Sequence, residues 1–242
     1  MLQFSSNMKK KIDLSLILAC YNEGPTFLWS LKEIKKVLDR TKISWEIICI
    51  DDRSKDNSFK VAKKFAKFQA NVFAFLHEKN LGRGGTVAEG FKMARGKVVG
   101  FIDVDLEVSP IYIPEFVEAI QDGADVVIAT RFYKESLTTL VRWVSTKVYI
   151  FLVQQVLGVN YKDTEAGYKF FNKKKILKIL KKVKNKGWFF DTEIVIRSHL
   201  AHLKIKEIPV LFLRRPEKQS TVRLIPDSID YLKALIDLKR TL

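Results

Sequence analysis

The chain is poor in cysteine, with two in 242 residues, Cys20 and Cys49, each inside an apolar run. A disulfide-stapled scaffold is thereby excluded, and both residues read as small buried thiols of a reducing compartment. Long hydrophobic runs are also lacking: no stretch reaches the ~18 uninterrupted apolar residues of a spanning helix. The nearest, Leu140–Leu157, is interrupted by Arg142, Lys147, Gln154 and Gln155, so it is expected to lie on a surface and not to cross one. Residues Met1 to Lys11 are polar and basic, without the apolar core of a signal peptide, and export is not expected. Acid is in deficit, 27 Asp and Glu against 43 Lys and Arg, for a net charge of +16. Such a chain suits an anionic partner: nucleic acid, acidic lipid headgroups or a phosphorylated ligand. Repeats, low-complexity tracts and Gly/Ser/Pro linkers are missing, which predicts one domain over residues 1–242, and a hydrophobic content of 47% is enough for its core.

What is present from Ile12 to about Thr130 is an alternation of apolar runs with amphipathic segments, the pattern of a mostly parallel α/β sheet flanked by helices. Strands are predicted at Ile12–Ala19, Trp45–Ile50, Val72–Leu76, Lys97–Ile102 and Asp125–Ala129. Helices are predicted at Phe27–Asp39, Phe59–Phe68, Val87–Ala94 and Ile113–Gln121. The second half is less regular: an apolar helix over 138–157, a strand Gly167–Phe171, a lysine-rich helix Lys173–Lys186, a helix Asp191–His202, a strand Ile208–Phe212 and an amphipathic helix Pro226–Lys239. Ligands of open parallel sheets bind at the carboxyl ends of the strands, where polar residues begin at Tyr21-Asn22-Glu23, Asp51-Asp52-Arg53-Ser54 and Asp103-Val104-Asp105.

Asp103 and Asp105 follow an apolar strand at alternate positions, so an extended chain would turn both carboxylates to one side. Converging carboxylates call for a cation, and oxygen ligands suit Mg²⁺ or Mn²⁺, with Glu107 as a third ligand one step further on. Capping of the next segment is the alternative. A carboxylate of Asp51-Asp52 can accept the imino proton of a uracil or guanine, or it can belong to a helix cap with Asp56 and Ser58. Asn80-Leu81-Gly82-Arg83-Gly84-Gly85 precedes a helix, so its backbone N–H groups are candidates for a diphosphate. It lacks the Lys-Ser/Thr of a P-loop and the last glycine of a dinucleotide fingerprint, and a plain tight turn is the other reading. His77, His199 and His202 have no ligand partners at metal spacing and are assigned to surface or structure.

Taken in order, Leu18 to Gly24, Ile50 to Ser54, Asn80 to Gly85 and Asp103 to Asp105 resemble the family-2 glycosyltransferases with the GT-A, Rossmann-like fold. More narrowly they resemble the dolichyl-phosphate mannose and glucose synthases. The likeness continues through Ala129–Arg131, Asp163–Lys169, Trp188–Glu193 and Ser220–Arg223. It implies a nucleotide-sugar-binding half, 12–130, and an acceptor-binding, membrane-facing half, 131–242. Ala19, Tyr21 and Glu23 would line the nucleoside pocket with Asp52 on the base and Gly82 in the donor loop. Asp103, Asp105 and Glu107 would hold the metal, and Arg131, Arg142, Thr146, Arg215, Ser220 and Arg223 would gather the acceptor phosphate. The chain departs from the family at Ala19, where Pro is common, at Glu107 (Gln) and at Thr221 (Lys).

A phosphate acceptor, polyprenyl or dolichyl phosphate, needs no general base. A sugar hydroxyl needs a carboxylate, with Asp191 or Glu193 as the candidate and a helix cap as the other role of Asp191. Inversion follows from a single displacement. Trp188–Glu193 and Val222–Ser228 resemble the glucosyl enzymes more than the mannosyl ones, so a UDP-hexose such as UDP-glucose is the first expected donor and GDP-mannose the second. The segment Leu140–Leu157, the better candidate, or the apolar stripe of Lys173–Lys186, whose other reading is an amphipathic helix packed on the core, is expected to rest on an anionic membrane, at its cytoplasmic face, alone, as a homo-oligomer or with a membrane subunit. A nucleic-acid-binding module is the competing class. Aromatic residues sit inside apolar runs here and do not interleave with the basic ones, which argues against it. A nucleotidyltransferase would need an amino-terminal Gly-rich loop with Arg and Lys, which the sequence lacks.

Overall fold

The computed structural model describes residues 11–133, 154–155, 157–215 and 224–241. Arg142, Thr146, Ser220, Arg223 and nearly all of Leu140–Leu157 lie outside the described residues. The strands are β1 (Leu14–Cys20), β2 (Trp45–Asp51), β3 (Val72–Leu76), β4 (Val98–Ile102), β5 (Val126–Tyr133), β6 (Tyr168–Asn172) and β7 (Ile205–Phe212). They form one sheet in the order β3-β2-β1-β4-β6-β5-β7. All neighbours are parallel except β6, which runs antiparallel to both β4 and β5. The helices are α1 (Phe27–Asp39), α2 (Ser58–Lys67), α3 (Arg83–Met93), α4 (Ile113–Gln121), α5 (Lys173–Leu180), α6 (Phe190–Leu200) and α7 (Leu224–Arg240).

The strands are apolar on both faces because helices cover both, as parallel sheets require. Leu14, Leu16 and Leu18 of β1 face Phe27, Leu31, Ile34 and Leu38 of α1 and Phe116 and Val117 of α4. Ile17 points the other way, toward Val87 and Phe91 of α3, Ile176 and Ile179 of α5 and Ile194 of α6. Period-2 alternation along β1 thus feeds two cores, and truncating a residue such as Leu31 to Ala costs about 2–5 kcal/mol. Leu235 and Leu238 of α7 close a third cluster on Phe189 and Ile196.

Two expectations are corrected. The lysine-rich segment is helical only to Leu180, and its apolar stripe, Ile176, Ile179 and Leu180, is buried against the sheet. That stripe is core and does not face a bilayer. The glycine-rich segment is not a separate turn before the helix, because α3 starts at Arg83 and runs through Gly84 and Gly85. Its glycines serve close packing: a Cβ on Gly84 would lie 2.3 Å from Phe190 Cβ, and one on Gly90 would lie 2.5 Å from Ile17. Among the described residues, no helix is long and apolar enough to cross a membrane.

Candidate active site

The exits of β1, β2 and β4 and the start of β6 lie along one edge of the sheet, with Cys20 beside Asp51 and Ile102 beside Tyr168 in register. The first two exit loops are stitched together. Ser54 Oγ accepts from Asn22 N–H at 2.9 Å, Ser58 Oγ from Glu23 N–H at 2.9 Å and Asp56 Oδ2 from Gly24 N–H at 2.9 Å. Asn22 and Arg53 both take positive φ, 55° and 69°, as reversals this tight demand. The result fixes Tyr21, which is exposed, and half-buried Ala19 and Glu23 on a rigid shelf, as a nucleoside pocket would need.

Asp52 is buried, and its carboxylate accepts from the backbone N–H of Leu81 at 2.7 Å and of Gly82 at 2.8 Å. His77 Nδ1 lies 2.8 Å from Asp52 Oδ1, so this histidine is a buried structural partner and not a surface residue. These contacts correct two expectations. Asp52 anchors the start of α3 in this arrangement, and the Leu81, Gly82 and Gly85 amides do not wait for a diphosphate: the last donates to Lys186 O at 3.0 Å. Gly82 is required here, with φ at 78° and a notional Cβ only 2.5 Å from Lys186 O.

Beyond Ile102 the extended chain ends. Leu106 N–H bonds back to Asp103 O at 3.3 Å, and Leu106 takes φ 55°. Asp103 and Asp105 therefore sit on a turn and not on a continued strand, and Glu107 leaves the set, its Oε1 accepting from Arg215 N–H at 3.2 Å. Among the described residues, no three carboxylates, histidines or cysteines assemble into a metal cluster. Asp103 and Asp105 remain at the exit of β4. The Asp103 side chain is 47% exposed and already faces a cation, Arg83.

Arg83 went without a role in the sequence reading, yet it is the hub of the site. Its Nη2 donates to Asp103 Oδ1 at 2.6 Å and its Nη1 to Asp191 Oδ2 at 2.6 Å. The guanidinium lies 5.2 Å from the Phe101 ring centre and 5.5 Å from that of Trp188. Burial works against its charge, but Asp103 and Asp191 outweigh that and hold it more firmly protonated than an ordinary arginine. Asp191 is buried and its pKa is raised, burial prevailing over Arg83 and Lys169; its Oδ1 has no hydrogen-bond partner among the described residues.

A second ionic group adjoins this one. Arg131 forks onto Asp163, Nε to Oδ2 at 2.6 Å and Nη2 to Oδ1 at 3.0 Å. Burial pushes Asp163 up, yet the charge and hydrogen bonds of Arg131 leave it below the ordinary carboxylate range. Burial raises Glu165 to about 7. Lys169 is fully buried on β6, donates to Ala166 O, and is brought down to about 8 by burial against the pull of Asp191 and Asp163. Arg215 belongs elsewhere, its guanidinium stacked 3.8 Å from the ring centre of Trp29. Arg131 and Arg215 thus have different partners. Glu193 is corrected outright as a base: it is buried and accepts from Lys184 and Asn185 N–H, at 3.1 and 2.7 Å, and from Arg197 Nε at 2.6 Å.

The model of glycosyl transferase family 2 matches residues 15–180, from β1 through α5, which include the exits of β1, β2 and β4 and the start of β6. The chain belongs to that family. As a family-2 glycosyltransferase it is 30% identical over 257 residues to a dolichyl-phosphate beta-glucosyltransferase of Saccharomyces cerevisiae, covering 95% of this chain and 75% of that protein. It is 25% identical to glycosyltransferase AglD of Haloferax volcanii, covering 89% of this chain and 35% of AglD, so it spans about a third of that relative's length. Among solved structures it resembles glucosyl-3-phosphoglycerate synthase from Mycobacterium tuberculosis, in complex with Mn²⁺, UDP-glucose and phosphoglyceric acid, with a TM-score of 0.72 and 19% identity over 94% of this chain and 80% of that one. That likeness establishes the GT-A fold of this family-2 glycosyltransferase.

Proposed function

We propose that this glycosyltransferase moves a hexose from a nucleoside diphosphate sugar, UDP-glucose first and GDP-mannose second, onto a polyprenyl phosphate of the dolichyl type, with inversion at the anomeric carbon. One observation carries the choice of acceptor: of the two carboxylates that offered themselves as a general base, Glu193 is held by Arg197 and the 184–185 amides, and one oxygen of Asp191 is held by Arg83. A phosphate monoester carries roughly −1.5 to −2 charge near neutrality and attacks without a base. The yeast relative, named for dolichyl phosphate, supports the same reading.

Mg²⁺ or Mn²⁺ fits the oxygen donors of Asp103 and Asp105, and the contact of Asp103 with the Arg83 guanidinium marks the place as one that accepts a cation. Bound there, such an ion would stabilise charge on the departing diphosphate. The residues of the chain do the rest. Tyr21, Glu23 and Ala19 line the nucleoside shelf, and Asp52 and Gly82 keep the Asn80–Gly82 segment against it. Arg83 and Arg131 place positive charge beside two anionic reactants that would otherwise repel. An acceptor oxygen bonds to the anomeric carbon while the bond from that carbon to the diphosphate breaks, and the electron pair leaves with the diphosphate.

A sugar-hydroxyl acceptor with Asp191 as base is the second reading, favoured by the raised pKa of Asp191 and its unpartnered Oδ1. The deciding experiment incubates the chain with radiolabelled UDP-glucose or GDP-mannose, Mn²⁺ or Mg²⁺, and either dolichyl phosphate or a panel of free saccharides. Label in the organic phase, with UDP-glucose preferred, is the expected result. Label in saccharide alone, abolished by Asp191→Asn, would select the second reading.

A further inference from the structure

The exit edge of β7 carries an apolar surface that the glycosyl transfer itself does not use. Ile111 is 66% exposed and Phe132 56%, with Leu213, Leu211 and Trp29 each more than two-fifths exposed. They form one patch. Phe132 and Leu211 are cross-strand partners in the β5–β7 register, and Tyr112 Oη accepts from Leu211 N–H at 3.1 Å. Ile111, Leu213 and Trp29 line a single open concavity of about 1000 Å³ between α1 and the 3-10 turn Pro110–Tyr112. Its lining is basic on balance, Lys36, Arg40, Lys42, Arg214 and Arg215 against Glu33 and Glu118.

We propose that this rim, with Ile111, Leu213 and Trp29 at its centre and Arg214 and Arg215 beside them, is the face on which the chain rests on an anionic lipid bilayer. Aliphatic side chains and a tryptophan suit the level between headgroups and acyl chains, and arginines next to them meet lipid phosphates. The patch is continuous with the site: Leu213 N–H donates to Glu107 O at 2.8 Å, on the turn that presents Asp103 and Asp105. A bilayer on this face brings phosphate headgroups to the β4 exit. The lysines of α5 do not serve that purpose, because α5 begins where antiparallel β6 ends, at the opposite edge of the sheet. The inference deepens the polyprenyl-phosphate reading and rests on it only for the identity of the acceptor.

The test is flotation with vesicles of phosphatidylcholine alone or mixed with phosphatidylglycerol, at low and high salt. Three proteins are compared: wild type, Ile111→Ser/Leu213→Ser, and Lys174→Gln/Lys178→Gln. Wild type is expected to bind the anionic vesicles, less so in salt, and the serine variant to lose about tenfold or more of that affinity. The α5 variant is expected to stay within about threefold of wild type, because its two lost charges sit toward the opposite edge of the sheet from the bilayer. Unchanged melting temperature and unchanged UDP binding without vesicles would show that the serine variant is folded with its donor site intact. The proposal is overturned if the serine variant binds like wild type, if the α5 variant loses as much, if neutral vesicles bind equally well, or if wild type binds no vesicle. Vesicle binding that maps to the rim, without any lipid-linked sugar being formed, would sink the acceptor reading and leave the surface standing.

Discussion

The guanidinium of Arg83 holds Asp191, 108 residues further along the chain, at 2.6 Å, and the same group reaches Asp103. One side chain thereby ties the start of α3 to the start of α6 and to the β4 exit. Removing it strands a buried carboxylate. Arg83→Gln is expected to lower stability by about 3 kcal/mol in urea unfolding, as for other broken buried pairs. A variant as stable as wild type would mean that the contact is dispensable.

Asp105→Ala is expected to abolish the part of UDP-glucose binding that depends on Mn²⁺, read as ligand-induced thermal shift with and without the metal. Asp105 is half-buried on the turn after β4 and accepts from Glu107 N–H at 3.2 Å, so the melting temperature without ligand should fall by no more than about 5 °C. Metal-dependent stabilisation equal to wild type would remove Asp105 from the ion's ligands.

Gly167→Ala is a quieter probe of the same place. Its Cβ would lie 2.1 Å from Asp103 Oδ2, 2.5 Å from Asp103 Cγ and 2.5 Å from Arg83 Nη2, so the half-exposed Asp103 side chain must move away. Donor affinity is expected to fall about tenfold, with a loss of stability of only about 1 kcal/mol. Isothermal calorimetry with UDP and Mn²⁺ gives the first figure and urea unfolding the second.

Glu193→Gln separates support from chemistry. Because Glu193 pins the 184–185 amides and Arg197, the variant is expected to lose about 2 kcal/mol of stability while kcat stays within about threefold at a temperature where it is folded. A thousandfold drop in kcat at unchanged stability would return Glu193 to the reaction.

Glu165 gives a pH signature. Its folded pKa of about 7 lies above the ordinary value of 4.5, so between those limits the folded state holds a proton that the unfolded state has released. Its contribution to stability is complete below pH 4.5 and is lost as pH rises to about 7. In Glu165→Gln that decline should be missing, so the stability of wild type minus that of the variant should fall across this window in paired urea titrations.

The sheet was largely legible from sequence because each strand is an apolar run closed by polar residues, and α1 and α4 begin and end where periodicity places them. Two kinds of feature were not. The backbone reversal at Leu106 redirects side chains that an extended reading had aligned, and this is how Glu107 left the metal set. Partners distant in sequence were also invisible: Arg83 among glycines looked like part of a turn, and nothing local announced that Asp191 and Asp103 would share it. Lys169 reads as an ordinary alternating strand position, although its ammonium ends among the ionic groups of the site. Only the run Asp163–Lys169, taken as a unit, hinted that its charges act together.

The reversed strand β6 has a last consequence. The chain leaves the sheet at the far end of β5 and rejoins it at Tyr168, on that same border, so both ends of the detour between them meet the sheet at one edge. Such a detour can lengthen, shorten or change composition without altering the pairing of a single strand. The return strand thereby separates what the sheet fixes, the pairing of β4, β6 and β5, from what it leaves open to change.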